Sequence, residues 1–255
     1  MNECLTKYGI KILQPGCTFN ESEVFFTFDH VGKQIKAELS GLDYKVVCLG
    51  NNCFVRRTLN WFGVKPIKAD GELTHPFDLA AFELDKIIEC LEDDFLHFCN
   101  PRYLKDGKNR IYGGSHPHEY EDYYENDAVK FRIRYLRRIA NFYEDIYSGK
   151  HIFFVNANAN IEPELSMYAE KMIRLLSNKF KNVKYNFIMA NELLPNSPSC
   201  FDQKENFYIY HPIPYSSYEW HMEKDLYTEM GLEHSLSFAC KIKDIIIDKM
   251  KKRIS

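Results

Sequence analysis

Residues 44–63 have the sequence YKVVCLGNNCFVRRTLNWFG, a pattern that predicts a strand, a turn and a helix in that order. The apolar run of residues 44–49 is typical of a short buried strand. Gly50 and the two asparagines after it favour a tight turn, because these residue types tolerate turn conformations well. Apolar residues then recur at helical spacing until Gly63, which marks the end of the helix. Cys53 is therefore predicted at the first turn of a helix that follows a buried strand.

The predicted position of Cys53 has chemical consequences. Unpaired backbone N–H groups and the positive end of the helix dipole lie at the start of a helix. Both lower the pKa of a thiol, so the sequence predicts Cys53 as a candidate nucleophile. A polar motif follows at residues 74–78, where Pro76 separates His75 from an aromatic residue and a carboxylate, Asp78. Asp78 is thus a candidate partner for a catalytic base.

Several motifs resemble, in the same order, a family of bacterial proteins of unknown function that is classified as papain-like cysteine peptidases. They are Leu49-Gly50-Asn51-Asn52-Cys53, Pro76-Phe77-Asp78, His118-Glu119-Tyr120, Arg137-Arg138 with Phe142, and Ile152-Phe153-Phe154-Val155. Four motifs depart from the family pattern. Leu79 stands where tryptophan is usual, Glu119-Tyr120 where Asp-Phe is usual, and Asn141 and Asn156 where arginines of the helix and the strand are usual. The resemblance implies a cysteine peptidase and assigns His118 to the family's histidine.

The composition is that of a globular protein with a sizeable core. Of the 255 residues, 45% are hydrophobic and 27% are charged, which fits one large α/β domain or a core with a small appendage. The net charge of −3 creates no general attraction for nucleic acid or an anionic membrane. No apolar run approaches the roughly 20 residues of a membrane span, and the N-terminal residues lack the order of a signal peptide. The 8 cysteines show no metal-type spacing, so we expect reduced thiols, a cytoplasmic protein and no metal or other cofactor.

The order of the other elements predicts an α/β fold. Buried strands are predicted near residues 151–155, 185–189 and 206–210, and amphipathic helices near residues 80–94, 126–147, 163–180 and 236–254. This alternation favours a three-layer architecture, in which a mostly parallel sheet is flanked by helices. Two β-like runs at residues 24–28 and 34–39 predict a hairpin, and hence a small N-terminal antiparallel β appendage. We therefore expect an appendage at residues 1–42 and an α/β domain at residues 43–255 that carries the site.

The candidate catalytic residues come from separate motifs. A nucleophilic cysteine needs a base within hydrogen-bonding distance and a group that orients this base. We predict Cys53 as the nucleophile, His118 as the base and Asp78 as the orienting carboxylate. Asn51, Asn52 and the backbone N–H groups at the helix start are predicted to hold the oxyanion. The order Cys, Asp, His differs from the papain order, so these roles follow from residue type.

Other polar residues are predicted to bind the ligand. Arg137 and Arg138 would hold a phosphate or carboxylate, because guanidinium groups bind these anions bidentately. Asn156 and His211 follow buried strands, and the carboxyl ends of parallel strands are where such sheets bind ligands. His211 is also an alternative base.

Two further histidines, His75 and His116, are reserve candidates for the base. His116 and His118 flank Pro117, but no nearby cysteine or carboxylate completes a zinc site. The sequence predicts a cysteine-dependent hydrolase or acyltransferase that acts on a small molecule or a peptide. The alternatives are a noncatalytic binding module, or a glycan- or nucleotide-handling protein, for an anionic ligand. A scaffolding role is the third possibility.

Overall fold

The computed structural model describes residues 7–10, 21–50, 52–105, 107–119, 128–158, 162–191, 201–204, 206–210 and 228–252. Its helices are α1 Glu21–Glu38, α2 Phe54–Trp61, α3 Leu84–Glu92, α4 Ala128–Ile146, α5 Glu162–Lys179 and α6 Glu229–Lys251. Its strands are β1 Tyr44–Cys48, β2 Leu104–Lys105, β3 Lys108–Asn109, β4 His151–Asn158, β5 Tyr185–Asn191, β6 Phe201–Lys204 and β7 Phe207–Tyr210. Short 3-10 turns include Pro76–Leu79 and Pro117–Glu119.

Five of the seven described strands form the central sheet, in the order β1-β4-β5-β7-β6. Strands β1, β4, β5 and β7 run parallel, and β6 pairs antiparallel with β7 at one edge. The predicted mostly parallel sheet is therefore confirmed. Since the carboxyl ends of parallel strands meet at one edge of a sheet, the chain that leaves β1 toward Cys53 starts at that edge.

Side chains on the two faces of the sheet enter different hydrophobic clusters. Val46 and Cys48 of β1 belong to a cluster with apolar residues of α1, α2 and α6. Val47 and Leu49 alternate with them and belong to a second cluster, with apolar residues of α3, α4 and α5. This alternation shows a strand buried on both faces, as expected for a parallel sheet covered by helices. The predicted three-layer architecture is confirmed.

The hairpin predicted for residues 24–39 is wrong, because residues 21–38 form the single helix α1. Phe28, Val31 and Ile35 are buried together with residues of α2 and α6, and their spacing is that of one helical face. The aromatic and β-branched residues before position 29 favoured a strand, but burial of this apolar face outweighs intrinsic propensity. The predicted domain boundary falls in the connection between α1 and β1. A small antiparallel pair does occur, between β2 and β3.

None of the described helices combines the length and the apolar character that crossing a lipid bilayer requires. Cysteines 48, 90 and 99 are buried, and Cys53 is half-buried; all four form no disulfide. Most of these thiols therefore serve as small apolar core groups.

Candidate active site

A cavity of about 270 Å³ brings Cys53 and His118 together. The residues that line it are Asn52, Cys53, Arg57, Leu79, Ala80, Ala81, Pro117 and His118. They come from the start of α2, from the last residue of the turn Pro76–Leu79 and the two residues after it, and from the turn Pro117–Glu119. The predicted nucleophile and the predicted base thus share one cavity, although they lie far apart in the chain.

The turn between β1 and α2 is what places Cys53 at the cavity. A methyl group on Gly50 would clash with the backbone carbonyl of Asn52, so the chain path requires glycine there. The Oδ1 of Asn52 accepts a hydrogen bond from the backbone N–H of Phe54 at 2.9 Å, and so satisfies one N–H group of the first helical turn. This bond uses the acceptor atom of the side chain, so the donor atom Nδ2 is the one for the predicted oxyanion role.

A short backbone bridge brings His118 to the same cavity. Ala81 and Ser115 form an isolated antiparallel bridge through two backbone hydrogen bonds of 2.8 Å each. The bridge sets the segment around Ala81 against the chain that leads into the turn Pro117–Glu119. His118 lies in this turn with an exposed side chain.

Glu119 anchors the turn that carries His118. Its buried carboxylate forms ion pairs with Arg134 and with Arg138 of α4, the latter with Oε1 and Nη2 at 2.8 Å. Arg138 is buried and committed to this pair, whereas Arg137 is exposed on the same helix. Neither arginine lines the cavity, so the structure does not bring them together as the predicted anion clamp. Their connection with the site is indirect, through Glu119.

Asp78 belongs to a buried network of charges. Its Oδ2 lies 3.4 Å from the Nε of Arg56. Arg56 also pairs with Glu72 at 3.0 Å, and Glu72 pairs with Lys65 at 3.1 Å. The side chains of Lys65 and Glu72 are only 2% and 3% exposed, and Lys65 additionally donates to the backbone carbonyl of Val46. Two positive and two negative groups thus neutralise one another inside the protein, which is the condition for burying charge.

The role predicted for Asp78, orientation of His118, is not what this geometry provides. Asp78 is fully buried, and its Oδ2 accepts a hydrogen bond from the backbone N–H of His75 at 2.8 Å. This bond lies at the start of the turn Pro76–Leu79, and the Arg56 contact links the same carboxylate to α2. Asp78 and His118 are not hydrogen-bonded. Asp78 therefore supports a wall of the cavity and does not orient His118, the predicted catalytic base.

Burial determines the protonation of Cys53. It raises the pKa of the thiol above its ordinary value, against the opposing effects of the Arg57 charge, a backbone hydrogen bond and the Arg56 charge. The predicted lowering of this pKa is therefore wrong, because desolvation outweighs the effects of the helix start and of the two arginines. The thiol is protonated near neutral pH, and it needs a proton acceptor in order to act as a nucleophile.

The reserve histidines lie in the interior and do not line the cavity. The Nε2 of His75 is 3.0 Å from Asp145 Oδ2, and Lys45 completes this group at 2.7 Å from the other carboxylate oxygen. Burial, with a contribution from the charge of Arg138, lowers the pKa of His116 to about 3. Its ring packs against the aromatic side chains of Phe82, Phe98, Phe131 and Tyr135. Both imidazoles are parts of the core.

Asn156 lies at the end of the sheet but not in the cavity. Its buried Nδ2 donates a hydrogen bond to the backbone carbonyl of Leu49, and so joins β4 to the end of β1. The sequence placed Asn156 at this edge correctly, but its side chain holds backbone instead of facing the cavity. The predicted ligand-binding residues Asn51 and His211 lie outside the described residues.

Arg57 lines the cavity, although the sequence analysis did not select it. It lies four residues after Cys53, and this spacing places two side chains on the same face of a helix. The sequence signal for Arg57 is therefore its spacing of four residues from Cys53, whereas Arg137 and Arg138 were predicted from their match to a family motif.

The described residues offer no group of three or more His, Cys, Asp or Glu side chains that could hold a metal ion. Comparison of the chain with models of protein families, with curated proteins and with solved structures finds no match.

Proposed function

We propose that the protein is a cysteine-dependent hydrolase or acyltransferase, in which Cys53 is the nucleophile and His118 transfers protons. One observation carries the proposal: a thiol and an imidazole from distant parts of the chain line the same cavity. With a volume of about 270 Å³, the cavity is at the small end of ligand sites. It suits a small acyl or amide group, or one residue of a peptide.

The proposed reaction has two steps. In the first, His118 takes the thiol proton while the sulfur of Cys53 attacks the substrate carbonyl; a C–S bond forms, and the leaving group departs with the proton from His118. In the second, water or an acceptor alcohol or amine attacks the thioester, its proton passes through His118 to the sulfur, and the C–S bond breaks. Asn52 Nδ2 and the backbone N–H groups at the start of α2 stabilise the oxyanion of both steps.

The raised pKa of Cys53 defines how this pair would work. A thiol that is protonated near neutral pH depends on a general base during the attack, so the rate depends on the imidazole of His118. Among the described residues that line the cavity, none is a carboxylate. The proposed machinery is therefore a Cys–His dyad, with Glu119 holding the turn of His118 from behind.

The finer assignment, a papain-like peptidase of the cytoplasm, is part of the same proposal. The motifs around Cys53 and His118 support the peptidase class by resemblance. The thiols of Cys48, Cys90 and Cys99, which form no disulfide, fit a reducing compartment.

The proposal is tested by the pH dependence of Cys53 alkylation with iodoacetamide, followed residue by residue with mass spectrometry. In His118→Ala we expect the rate near pH 6.5 to fall by at least about tenfold, because the proton acceptor is gone. His30→Ala is the matched control, since His30 is exposed on α1 and does not line the cavity. If Cys53 reacts at the same rate in His118→Ala as in the unmodified protein, the dyad is refuted.

A noncatalytic module for an anionic ligand is the second candidate. The positive charge of Arg57 in the cavity and the protonated state of Cys53 both favour it. A Cys53→Ala protein that keeps full ligand affinity, together with a wild-type thiol no more reactive than Cys99, would decide for this alternative.

A further inference from the structure

Helix α4 carries two apolar stripes, one inside the protein and one on its surface. The inner stripe includes Phe131, Tyr135 and Phe142, which are fully buried in the core. A helix on the surface of a globular protein normally has one such stripe, which faces the core, and polar residues elsewhere. The outer stripe consists of Val129, Ile133, Leu136, Ala140, Tyr143 and Tyr147. Packing of α4 on the core does not account for it.

The outer stripe is open to solvent in the part of the chain that the structure describes. The exposed fraction is 65% for Val129, 63% for Ile133, 49% for Leu136 and 62% for Tyr147. Ala140, in the middle of the row, is exposed as well. Single exposed apolar side chains are ordinary, but a continuous row of them marks an interaction surface.

The spacing of the outer stripe indicates that its partner is another helix. Its six positions follow one another at intervals of four, three, four, three and four residues. The pattern therefore repeats every seven residues, as at Val129, Leu136 and Tyr143. Alternating intervals of four and three produce the narrow seam along which two helices pack against each other.

The outer stripe is complementary in size to a second copy that runs in the opposite direction. An antiparallel pair combines a large and a smaller side chain in every layer. The layers are Val129 with Tyr147, Ile133 with Tyr143, and Leu136 with Ala140. A parallel pair would set each residue against its own copy, which leaves a gap between two alanines and crowds the tyrosines.

The charges beside the outer stripe also favour the antiparallel direction. The exposed residues Lys130, Arg132 and Arg137 flank its first half, and the exposed Glu144 flanks its last turns. In an antiparallel pair Lys130 would lie beside Glu144 of the second copy, and only Arg137 would meet its own copy. In a parallel pair each Arg132 would lie beside Arg137 of the other copy, so two repulsive pairs would form.

We infer that the outer stripe of α4 is an interface between two copies of this chain, which pair through antiparallel α4 helices about a two-fold axis close to Arg137. The same surface serves both copies, as two-fold symmetry requires. One helix pair gives a small interface, so we expect a dissociation constant of micromolar order. The inference is independent of the proposed Cys53–His118 dyad.

Sedimentation equilibrium over a range of protein concentrations tests the dimer. We expect the mass of two chains at high concentration, and a dissociation constant at least about tenfold higher in Leu136→Glu, because the pair would bury two unpaired carboxylates. Met167→Glu is the matched control, since Met167 is 55% exposed on α5, and it should leave the constant unchanged. Circular dichroism verifies that both variants are folded. A protein that stays monomeric at all concentrations, even if α4 binds another protein or anionic lipid vesicles, would overturn the inference, and so would association that survives Leu136→Glu.

A short bismaleimide cross-linker tests the antiparallel direction. Two copies of Arg137→Cys lie close to the axis on the same side of the seam and should be linked. Two copies of Ile133→Cys lie about 15 Å apart along the antiparallel seam and should not be linked, whereas a parallel pair reverses both results. Mass spectrometry of the linked peptides separates the introduced thiols from the native cysteines. Linking of Ile133→Cys as fast as that of Arg137→Cys, or linking of neither, contradicts the antiparallel pair.

Discussion

In two pairs of residues that are near neighbours in the sequence, one member lies in the protein interior and the other lines the cavity. Arg56 is held in a buried charge network and Arg57 lines the cavity; His116 is fully buried and His118 lines the cavity. On a helix, successive side chains point about 100° apart, so adjacent arginines meet different surroundings. The same residue type thus serves stability at one position and contact with the cavity at the next.

The buried members of these pairs hold the elements that form the cavity walls. Arg56 connects α2 to the turn Pro76–Leu79 through Asp78. His116 packs among aromatic rings of the core directly before the turn that carries His118. Arg57 and His118 line the cavity, a space that a ligand can enter. The comparison predicts that substitutions of the buried members change stability, whereas those of the cavity members change reactivity.

The largest effect is expected for Arg56→Gln. Loss of this guanidinium leaves Glu72 and Asp78 buried without their shared positive partner, which typically costs about 3–5 kcal/mol of the free energy of unfolding. Arg57→Gln is the matched control, and its cost should be clearly smaller because this half-buried side chain lines the cavity and stacks on the Trp61 ring. Urea denaturation followed by circular dichroism measures both values. Equal losses in the two variants would contradict the division between interior and cavity.

Much of the fold was predictable because it depends on local patterns. The strand–turn–helix of residues 44–63 combines a buried apolar run, a required glycine and helical spacing, and all three point to the same structure. The helix of residues 21–38 was missed because its aromatic and β-branched residues also suit a strand. Only the burial of one helical face against α2 and α6 decides between the two.

The site was predictable only in part, because its partners are set by tertiary contacts. Cys53 and His118 were selected by residue type and motif, and the cavity brings them together. The partner of Asp78 could not be foreseen, since Arg56 and Asp78 meet through the packing of two separate elements. The pKa of Cys53 also depends on burial, which no local pattern gives.

The second largest effect concerns His116 and pH. Burial lowers the pKa of this imidazole from about 6.5 in the unfolded chain to about 3 in the folded protein. As the pH falls, the unfolded state therefore binds a proton at His116 before the folded state does. The contribution of His116 to the free energy of unfolding is fully present above pH 6.5 and is lost as the pH drops toward 3. We expect this residue to contribute a loss of about 2 kcal/mol between pH 7 and pH 5.

His116→Leu separates this contribution from that of the other buried groups. Urea denaturation at pH 7, 6 and 5 should show a smaller loss in the variant, by about 2 kcal/mol over the range. His234, whose pKa burial lowers to about 4, keeps part of the pH dependence in both proteins. The same pH dependence in both proteins would mean that His116 accepts a proton in the folded state.

The smallest effect is expected at Asn52, because this one side chain both stabilises the start of α2 and lines the cavity. Asn52→Ala removes the oxygen that accepts a hydrogen bond from the backbone N–H of Phe54 at the start of α2, and it should cost about 1 kcal/mol. Asn52→Asp keeps an acceptor oxygen and adds a negative charge at a helix start, so its stability should match that of the unmodified protein. The same charge disfavours the thiolate of the neighbouring Cys53, and iodoacetamide should react several-fold more slowly there. If Asn52→Asp loses as much stability as Asn52→Ala, the hydrogen bond from Phe54 to Asn52 Oδ1 does not stabilise the start of α2. If it keeps both stability and thiol reactivity, Asn52 lies too far from the sulfur to hold an oxyanion formed by its attack.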